Sequence, residues 1–347
     1  MRWSKLEGKS RQIAVLAERC GRSKSNLLLL VLVTLPFAFS ATHVAAAPLR
    51  LGVLGDSISA GNGSDFGSNP NWVTQLSKSG AFSVGKLGNQ AVGGATSTDV
   101  LNDQLPAIQA QVAAGQLDYS VLLIGANDAA YAAADYLDSG DLDSTIQTLI
   151  GTVVGNVKTI LTSVAAAGSV HQIVATVPDQ TVSPLVKSLF TQYNATPAQI
   201  ASIRSGIQTI NSEIKEFALA RNIPVIDLFT SSDDLTAVSP LTLAGVNYTS
   251  VFASDGYHPA AVSHGLIANM VIDAANRQFH AGALRISDQQ IVRNTGRTPR
   301  TVVPTYFNVS PYTLLAVPEP SSAALAGIGA VLFVAFRCAM AQRSARD

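Results

Sequence analysis

Short apolar runs alternate with longer amphipathic segments along residues 48–282. The runs are six or seven residues long, which is typical of strands. The longer segments repeat apolar residues every three or four positions, as one face of a helix does. We therefore predict strands at 49–54, 82–88, 119–125, 172–177 and 223–229, and helices at 70–79, 98–114, 144–168 and 196–222.

The order of these elements predicts the fold class, which is α/β. Two parallel strands need a long crossover, and a helix in that crossover buries one face of the sheet. Alternating strands and helices therefore indicate a mostly parallel sheet covered on both faces, a three-layer α/β/α sandwich. In such folds a ligand binds outside the carboxyl ends of the strands. Polar motifs that directly follow strands are therefore the candidate site residues.

The first residues of the chain predict an export signal. Seven basic and two acidic side chains precede an apolar run at 27–39, and small residues follow up to Ala47. A basic, then an apolar, then a small-residue segment is typical of a signal peptide. A buried core helix is the alternative interpretation. We expect residues 1–47 to be the signal peptide of an exported protein.

The main body, residues 48–282, is long enough for one sizeable domain. Residues 283–316 follow it, and there Ser287 and Gly296 flank a predicted short helix as its N-cap and its stop. The rest of that stretch has three prolines and no clear period. We therefore expect a short helix and a linker between the domain and the C-terminal segment.

The C-terminal segment, residues 317–347, reads VPEPSS, then an apolar run at 323–336, then a tail with three arginines. This order resembles the PEP-CTERM sorting signal of certain Gram-negative bacteria, which an exosortase recognises. The resemblance implies exosortase-type sorting machinery as a partner. The apolar run and the arginines beyond it also predict transient or stable membrane contact through residues 321–337.

The composition of residues 48–316 excludes some partners and sites. This part carries 13 basic and 19 acidic side chains, so no basic patch is left to attract nucleic acid. The two cysteines, Cys20 and Cys338, lie in the predicted targeting segments, so this part has no disulfide, thiol nucleophile or cysteine metal site. The acidic stretch 135–144 lacks the carboxylate spacing of a calcium loop, and we predict a solvated loop there. We expect no metal and no organic cofactor.

Ser57 lies in LGDSIS, directly after the first predicted strand. A serine in such a turn either caps a helix or acts as a nucleophile. Two segments that follow the next strands bear on this choice. Gly94 in NQAVGGAT allows a backbone amide to point into a cleft, and Asn127 in GAND offers an uncharged side-chain donor. Each of these residues also has a purely structural interpretation as part of a turn.

Asp255 and His258 are three residues apart in ASDGYHP, a loop that leads into the last helix of the domain. A serine hydroxyl needs a base to take its proton, and an imidazole needs a partner that fixes its tautomer. Asp255 and His258 could supply both to Ser57. We predict that His264 is a helix residue packed beside the site.

These four segments resemble, in the same order, the four motif blocks of the SGNH or GDSL-type hydrolases. The resemblance spans residues 50–280 and implies a flavodoxin-like α/β/α sandwich. It implies Ser57 as the nucleophile, His258 as the general base and Asp255 as the acid that orients the base.

The same resemblance implies an oxyanion hole. Its donors would be the backbone amides of Ser57 and Gly94 and the side chain of Asn127. The segment TVPDQTVSP at 176–184 is similar to a proline-containing loop of the lipase-like branch of these enzymes, which favours an esterase or lipase.

We therefore predict an exported serine esterase or lipase that hydrolyses small-molecule or polymeric carboxylic esters through an acyl-enzyme on Ser57. One alternative is a polysaccharide O-deacetylase of the same fold. Another is a non-catalytic surface protein that binds carbohydrate in the cleft. The expected location is the periplasm, the cell surface or the extracellular matrix of a Gram-negative-type bacterium.

Overall fold

The computed structural model describes residues 47–60, 70–139 and 142–309. The predicted sorting segment and all but the last residue of the predicted signal peptide lie outside these ranges. The described residues contain a five-stranded sheet and a separate two-stranded hairpin. The sheet strands are β1 (Leu49–Gly55), β2 (Phe82–Ser83), β3 (Tyr119–Leu123), β4 (His171–Ala175) and β5 (Val225–Ile226), and the hairpin strands are β6 (Leu241–Leu243) and β7 (Val246–Tyr248).

All strand pairs in the sheet are parallel, and the strand order is β2-β1-β3-β4-β5. This is the order of the flavodoxin-like doubly wound fold, whose ligands bind at the carboxyl ends of the strands. The predicted α/β class, parallel sheet and three-layer arrangement are confirmed.

Helices occupy every crossover between the strands of the sheet, and three more follow its last strand. A π-helical turn, Val100–Gln104, joins the third helix to the fourth, and a 3-10 turn, Gln180–Val182, precedes the seventh. The helices are α1 (Ser57–Ala60), α2 (Trp72–Ser79), α3 (Ser97–Asp99), α4 (Leu105–Ala113), α5 (Ala126–Ser139), α6 (Leu142–Ala167), α7 (Pro184–Gln192), α8 (Pro197–Leu219), α9 (Leu228–Ala237), α10 (Ala261–Phe279) and α11 (Asp288–Asn294).

Two hydrophobic cores lie on opposite faces of the sheet, because successive side chains of a strand point to opposite faces. Leu51 and Val53 of β1 pack in one core with α2 and α10, and Leu54 packs in the other with α4, α6 and α8. All three side chains are fully buried or nearly so. Each such burial contributes about 1.5–3 kcal/mol to folding. The two cores hold the carboxyl ends of the strands at one edge.

The second predicted strand is shorter than expected. Only Phe82 and Ser83 pair with β1, after which the chain turns and returns beside β1 at Asn89. A side chain at Gly88 would meet the Leu51 carbonyl oxygen at 2.8 Å, so the return requires a glycine. The fifth predicted strand is also short, because Asp227 accepts from the backbone of Thr230 and starts α9.

The acidic stretch at 135–144 differs from the predicted loop. Helix α5 continues through Ser139, and α6 begins at Leu142. Alanines before the acidic residues favour this extension, since alanine has the highest helix propensity. Within the residues that the structure describes, one segment, Ser144–Ala167, has the length and hydropathy of a membrane span. It belongs to α6, whose apolar face packs in the sandwich core.

Residues after the sandwich fold back onto it. Helix α11 begins after Ser287, whose side chain caps it as predicted. Ile291 and Val292 are fully buried in the core beside α10. The chain beyond α11 forms a backbone hydrogen bond to the β6–β7 hairpin through Arg300, and Val309 is buried in the same core.

Candidate active site

Ser57 lies at the end of β1, where the chain turns into α1. A Cβ atom at Gly55 would lie 2.4 Å from the carbonyl oxygen of Leu123, so only glycine allows β1 to lie this close to β3 here. The buried Gln104 side chain accepts from Gly55 N at 2.9 Å and donates to Gly55 O at 2.8 Å. Gln104 therefore binds both polar backbone atoms of Gly55, two residues before Ser57, and so fixes the start of the turn.

Asp56, not Ser57, caps this turn. Its Oδ1 accepts from the backbone N–H of Ile58 at 3.0 Å, and its side chain is fully buried. The other oxygen, Oδ2, has no hydrogen-bond partner among the described residues. Burial, together with the nearby charge of Asp128, raises the pKa of Asp56 to about 7 despite the Ile58 N–H.

Ser57, His258 and Asp255 form a continuous hydrogen-bonded chain. The Ser57 Oγ lies 2.8 Å from His258 Nε2, and His258 Nδ1 lies 2.6 Å from Asp255 Oδ2. With the ring proton on Nδ1 donated to Asp255, Nε2 accepts from the Ser57 hydroxyl. The arrangement can take a proton from the serine and stabilise the positive charge that then forms on the ring.

Asp255 is held by its own loop. Its Oδ1 accepts from the backbone N–H groups of Tyr257 at 2.9 Å and His258 at 3.0 Å. Partial burial alone would raise the pKa of Asp255, but the hydrogen bonds from Tyr257 and His258 outweigh it and lower the pKa. Asp255 therefore stays ionised at neutral pH and faces the imidazole as an anion.

The turn that contains Gly94 is hydrogen-bonded to the end of β1 and to Asn127. Val92 N donates to Gly55 O at 3.1 Å, which joins the turn to the end of β1. Asn127, in the first turn of α5, donates through Nδ2 to Ala95 O at 2.8 Å. Gly94 has φ +81°, a conformation that glycine adopts without strain. Asn127 Nδ2 carries a second hydrogen that can serve as a donor in the pocket.

His264 lies in α10 and is buried, as predicted. Burial, with a smaller contribution from His258, lowers the pKa of His264 to about 3. His264 is therefore neutral over the whole physiological range, and it adds no competing positive charge beside His258.

A small pocket of about 50 Å³ opens at Ser57, and Asn127, Pro178, Gln180 and His258 are among its lining residues. Gln180 donates to the carbonyl oxygen of Ala126 at 2.6 Å, which fixes the pocket wall next to Asn127. Within the ranges that the structure describes, no group of three or more His, Cys, Asp or Glu side chains is placed to hold a metal ion.

Gln104 and Gln180 are site residues that the sequence analysis did not single out. Gln104 lies four residues from both Val100 and Ile108, which are fully buried, so it is a polar residue on the apolar face of a predicted helix. A buried polar side chain needs a hydrogen-bond partner. A polar residue on an otherwise apolar helix face is therefore the sequence signal that could have identified Gln104. Gln180 lies in a turn, where no periodicity marks it.

Comparisons with known proteins agree with the motif order. Residues 53–266 match the model of the GDSL-like Lipase/Acylhydrolase family, and residues 316–338 match that of the PEP-CTERM protein-sorting motif. The sorting motif lies outside the described residues. A search of curated proteins finds no match.

Several solved structures are similar to this chain in fold. The lipase Lip_vut3 from a goat rumen metagenome is 14% identical, with a TM-score of 0.48 over 65% of this chain and 97% of that one. An extracellular lipase from Streptomyces rimosus is 16% identical, with a TM-score of 0.45 over 65% of this chain and 99% of that one. Axe2, an acetylxylan esterase from Geobacillus stearothermophilus, is 16% identical, with a TM-score of 0.45 over 69% of this chain and 98% of that one.

Proposed function

We propose that this chain, which belongs to the GDSL-like lipase/acylhydrolase family, is an exported serine esterase that cleaves carboxylic esters through an acyl-enzyme on Ser57. The observation that carries the proposal is the chain of contacts from Ser57 Oγ to His258 at 2.8 Å and from His258 to Asp255 at 2.6 Å. A protein that only bound carbohydrate in this pocket would have no use for a serine, a base and an orienting acid in contact.

In the proposed reaction, Ser57 Oγ attacks the ester carbonyl carbon while His258 Nε2 takes its proton. Asp255 keeps the ring oriented and stabilises the imidazolium. The bond between the carbonyl carbon and the alcohol oxygen then breaks, and the alcohol oxygen receives that proton from His258 as the alcohol leaves. Water, activated by the same imidazole, releases the carboxylic acid from Ser57 and restores the free enzyme.

The negative charge that forms on the carbonyl oxygen needs donors in place before the reaction begins. The N–H of Ser57 is the first of α1, so it has no partner within that helix. The backbone N–H of Gly94 and the second Nδ2 hydrogen of Asn127 complete the proposed oxyanion hole. Asn127 is uncharged, which avoids the desolvation penalty of a cation in the pocket.

The sorting motif marks the protein for exosortase-dependent sorting and therefore for export. We further propose residues 1–47 as the signal peptide, 48–282 as the hydrolase domain and 283–316 as its helix and connecting segment. The segment 317–347 would then be the sorting signal, with membrane contact through 321–337. The periplasm, the cell surface and the extracellular matrix are the proposed sites of action.

The test is hydrolysis of p-nitrophenyl butyrate by the full chain in mild detergent. Ser57→Ala is expected to lower kcat roughly a thousandfold or more, because the nucleophile is lost while the binding groups remain. Ser77→Ala, a change at an exposed position in α2, is the matched control and should retain full activity. A serine-directed phosphonate should add its mass to Ser57 only. Full activity in Ser57→Ala would refute the proposal.

A further inference from the structure

A long apolar groove opens beside the proposed catalytic pocket. We call it the side groove. It has a volume of about 250 Å³ and lies between α5, α7 and α8. Among the described residues that line it, none carries a charge. Its lining includes Ala133, Ala134, Leu185, Leu189 and Tyr193.

The two helices on either side of the side groove have complementary faces. On α5 most of the lining residues are alanines, among them Ala133 and Ala134, and Leu137 is the one large apolar side chain. Leu185 and Leu189 of α7 and Tyr193, the residue that caps its C-terminal end, recur every fourth position and therefore share one face. Large side chains opposite small ones leave a slot rather than a packed interface.

The side chains on α7 are unusually exposed for their type. Leu185 is 41% exposed, Leu189 is 38% exposed and Tyr193 is 45% exposed. Three such residues on one helix face form a contiguous apolar patch, which in soluble proteins marks a binding surface. An apolar ligand would remove this surface from water.

The side groove and the catalytic pocket are neighbours that share part of their walls. Asn127, Gln180 and Tyr257 line both of them, whereas Ser57 and His258 line only the catalytic pocket. A carbonyl oxygen held by Asn127 therefore places its carbon where the two cavities meet. The leaving alcohol takes its proton from His258, which lies on the other side of that junction. The group that points into the side groove is thus the acyl chain.

We propose that the side groove binds the acyl chain of the ester, so that the protein prefers medium-chain acyl esters to acetyl esters. This inference rests on the proposed function of the pocket. The length of the groove along α7, from Leu185 to Tyr193, is about 12 Å at 1.5 Å per residue. Its lining can therefore contact several methylene groups in succession.

The first test is a chain-length profile with p-nitrophenyl acetate, butyrate, hexanoate and octanoate. Each methylene that enters the groove is expected to raise kcat/KM roughly two- to fourfold, the upper value corresponding to about 0.8 kcal/mol per fully buried CH₂. Octanoate should then exceed butyrate by roughly 20- to 200-fold. A profile that is flat or falls from acetate to octanoate would overturn the inference and would favour the O-deacetylase alternative.

A second test blocks the side groove. Ala134→Trp adds bulk to the groove wall and should lower the ratio of kcat/KM for octanoate to kcat/KM for acetate roughly tenfold or more. Ala166→Trp adds the same bulk at an exposed position of α6 outside the groove and is the matched control. A rising profile that Ala134→Trp does not alter would mean that the acyl chain binds elsewhere, which would overturn the assignment of the groove.

A third measurement separates this inference from the proposed function. Titration of octanoate into Ser57→Ala by calorimetry should show binding that Ala134→Trp in the same background weakens. This result depends on the groove and not on turnover. Loss of all ester hydrolysis with octanoate binding intact would refute the proposed function alone, and hydrolysis without groove-dependent binding would refute the inference alone.

Discussion

Strands β1 and β5 end in the same way, with a buried aspartate that starts the next helix. Asp56 Oδ1 accepts from Ile58 N after β1, and Asp227 Oδ1 accepts from Thr230 N after β5, at 3.0 and 3.1 Å. Each aspartate therefore binds a backbone N–H at the start of the next helix, two residues further on for Asp56 and three residues further on for Asp227. The two carboxylates differ in what contacts their second oxygen.

Asp227 has a cation beside it, whereas none of the described residues places a cation on Asp56. Lys215 Nζ lies 2.6 Å from Asp227 Oδ2, and Thr230 Oγ1 donates to the same oxygen. Burial would raise the pKa of Asp227, but the Lys215 and Thr230 hydrogen bonds outweigh it and lower the pKa. For Asp56, burial dominates and raises the pKa to about 7.

The difference separates a turn that stabilises the fold from a turn that presents the proposed nucleophile. At β5 the buried charge is neutralised in place, which is how buried carboxylates normally occur. At β1 a cation close to Asp56 and Ser57 would oppose the positive charge that the proposed mechanism places on the His258 imidazole. Buried polar atoms without partners are concentrated at such functional sites.

The largest expected effect extends the comparison to Asp255, the third carboxylate at this edge of the sheet. Asp255→Asn should keep the shape of the loop but remove the anion that fixes the His258 tautomer. We expect kcat for p-nitrophenyl butyrate to fall roughly a thousandfold or more. Asp103→Asn, at an exposed position, is the control. A kcat close to that of the unmodified protein would show that Asp255 does not orient the base.

The next largest effect tests the turn after β5. Lys215→Met keeps most of the side-chain volume but leaves the buried Asp227 charge without its cation. We expect a loss of about 2–3 kcal/mol in the free energy of unfolding, below the range for fully buried pairs because Lys215 is partly exposed. Urea unfolding measures it, and Lys86→Met at an exposed position is the control. An unchanged midpoint would mean that water replaces the lysine without penalty.

The smallest effect has the opposite sign. Asp56→Asn keeps an oxygen for the Ile58 N–H and removes the buried charge, so we expect a gain on the order of 2 kcal/mol in the free energy of unfolding at pH 8. In the unmodified protein, unfolded Asp56 loses its proton near pH 4 but folded Asp56 keeps it to about pH 7, so stability falls between these values. The gain from Asp56→Asn should therefore grow from pH 4 to pH 7 and then stay level.

Thermal unfolding at several pH values checks this prediction. The stability that Asp227 contributes should behave in the reverse manner, because its folded pKa is lowered. The stability that Asp227 contributes is fully present above the pKa of Asp227 in the unfolded chain, and it is lost as the pH falls through the pKa of Asp227 in the folded protein. A gain from Asp56→Asn that is the same at pH 4 and pH 8 would show that the variant acts through packing and not through the charge.

Much of the fold could be predicted because the strands are continuous apolar runs and the helices have clear periods. Strand β3 and helix α8 lie where periodicity placed them. Strand β2 is short because the chain must approach the Leu51 carbonyl closely at Gly88, which is a tertiary contact and not a pattern. The β6–β7 hairpin was not predicted, since three-residue strands are too short to show alternation.

The candidate site was predictable in part because chemistry limits which residues can serve together. Ser57, Asp255 and His258 are recognisable as a set since a serine needs a base and the base needs an acid. The raised pKa of Asp56 could not be predicted, because it depends on how deeply folding buries the carboxyl and on which described groups then lie beside it. The side groove could not be predicted either, since it exists only between helices that are distant in sequence.

The burial of Val309 in the core beside α10 has a mechanical consequence. The sorting motif begins at residue 316, only seven residues further along the chain. Seven residues span at most about 25 Å when fully extended. Machinery that binds the motif therefore has to act within about 25 Å of Val309, close to the surface of the folded domain. The folded domain itself thus limits how closely, and from which side, such machinery can approach the motif.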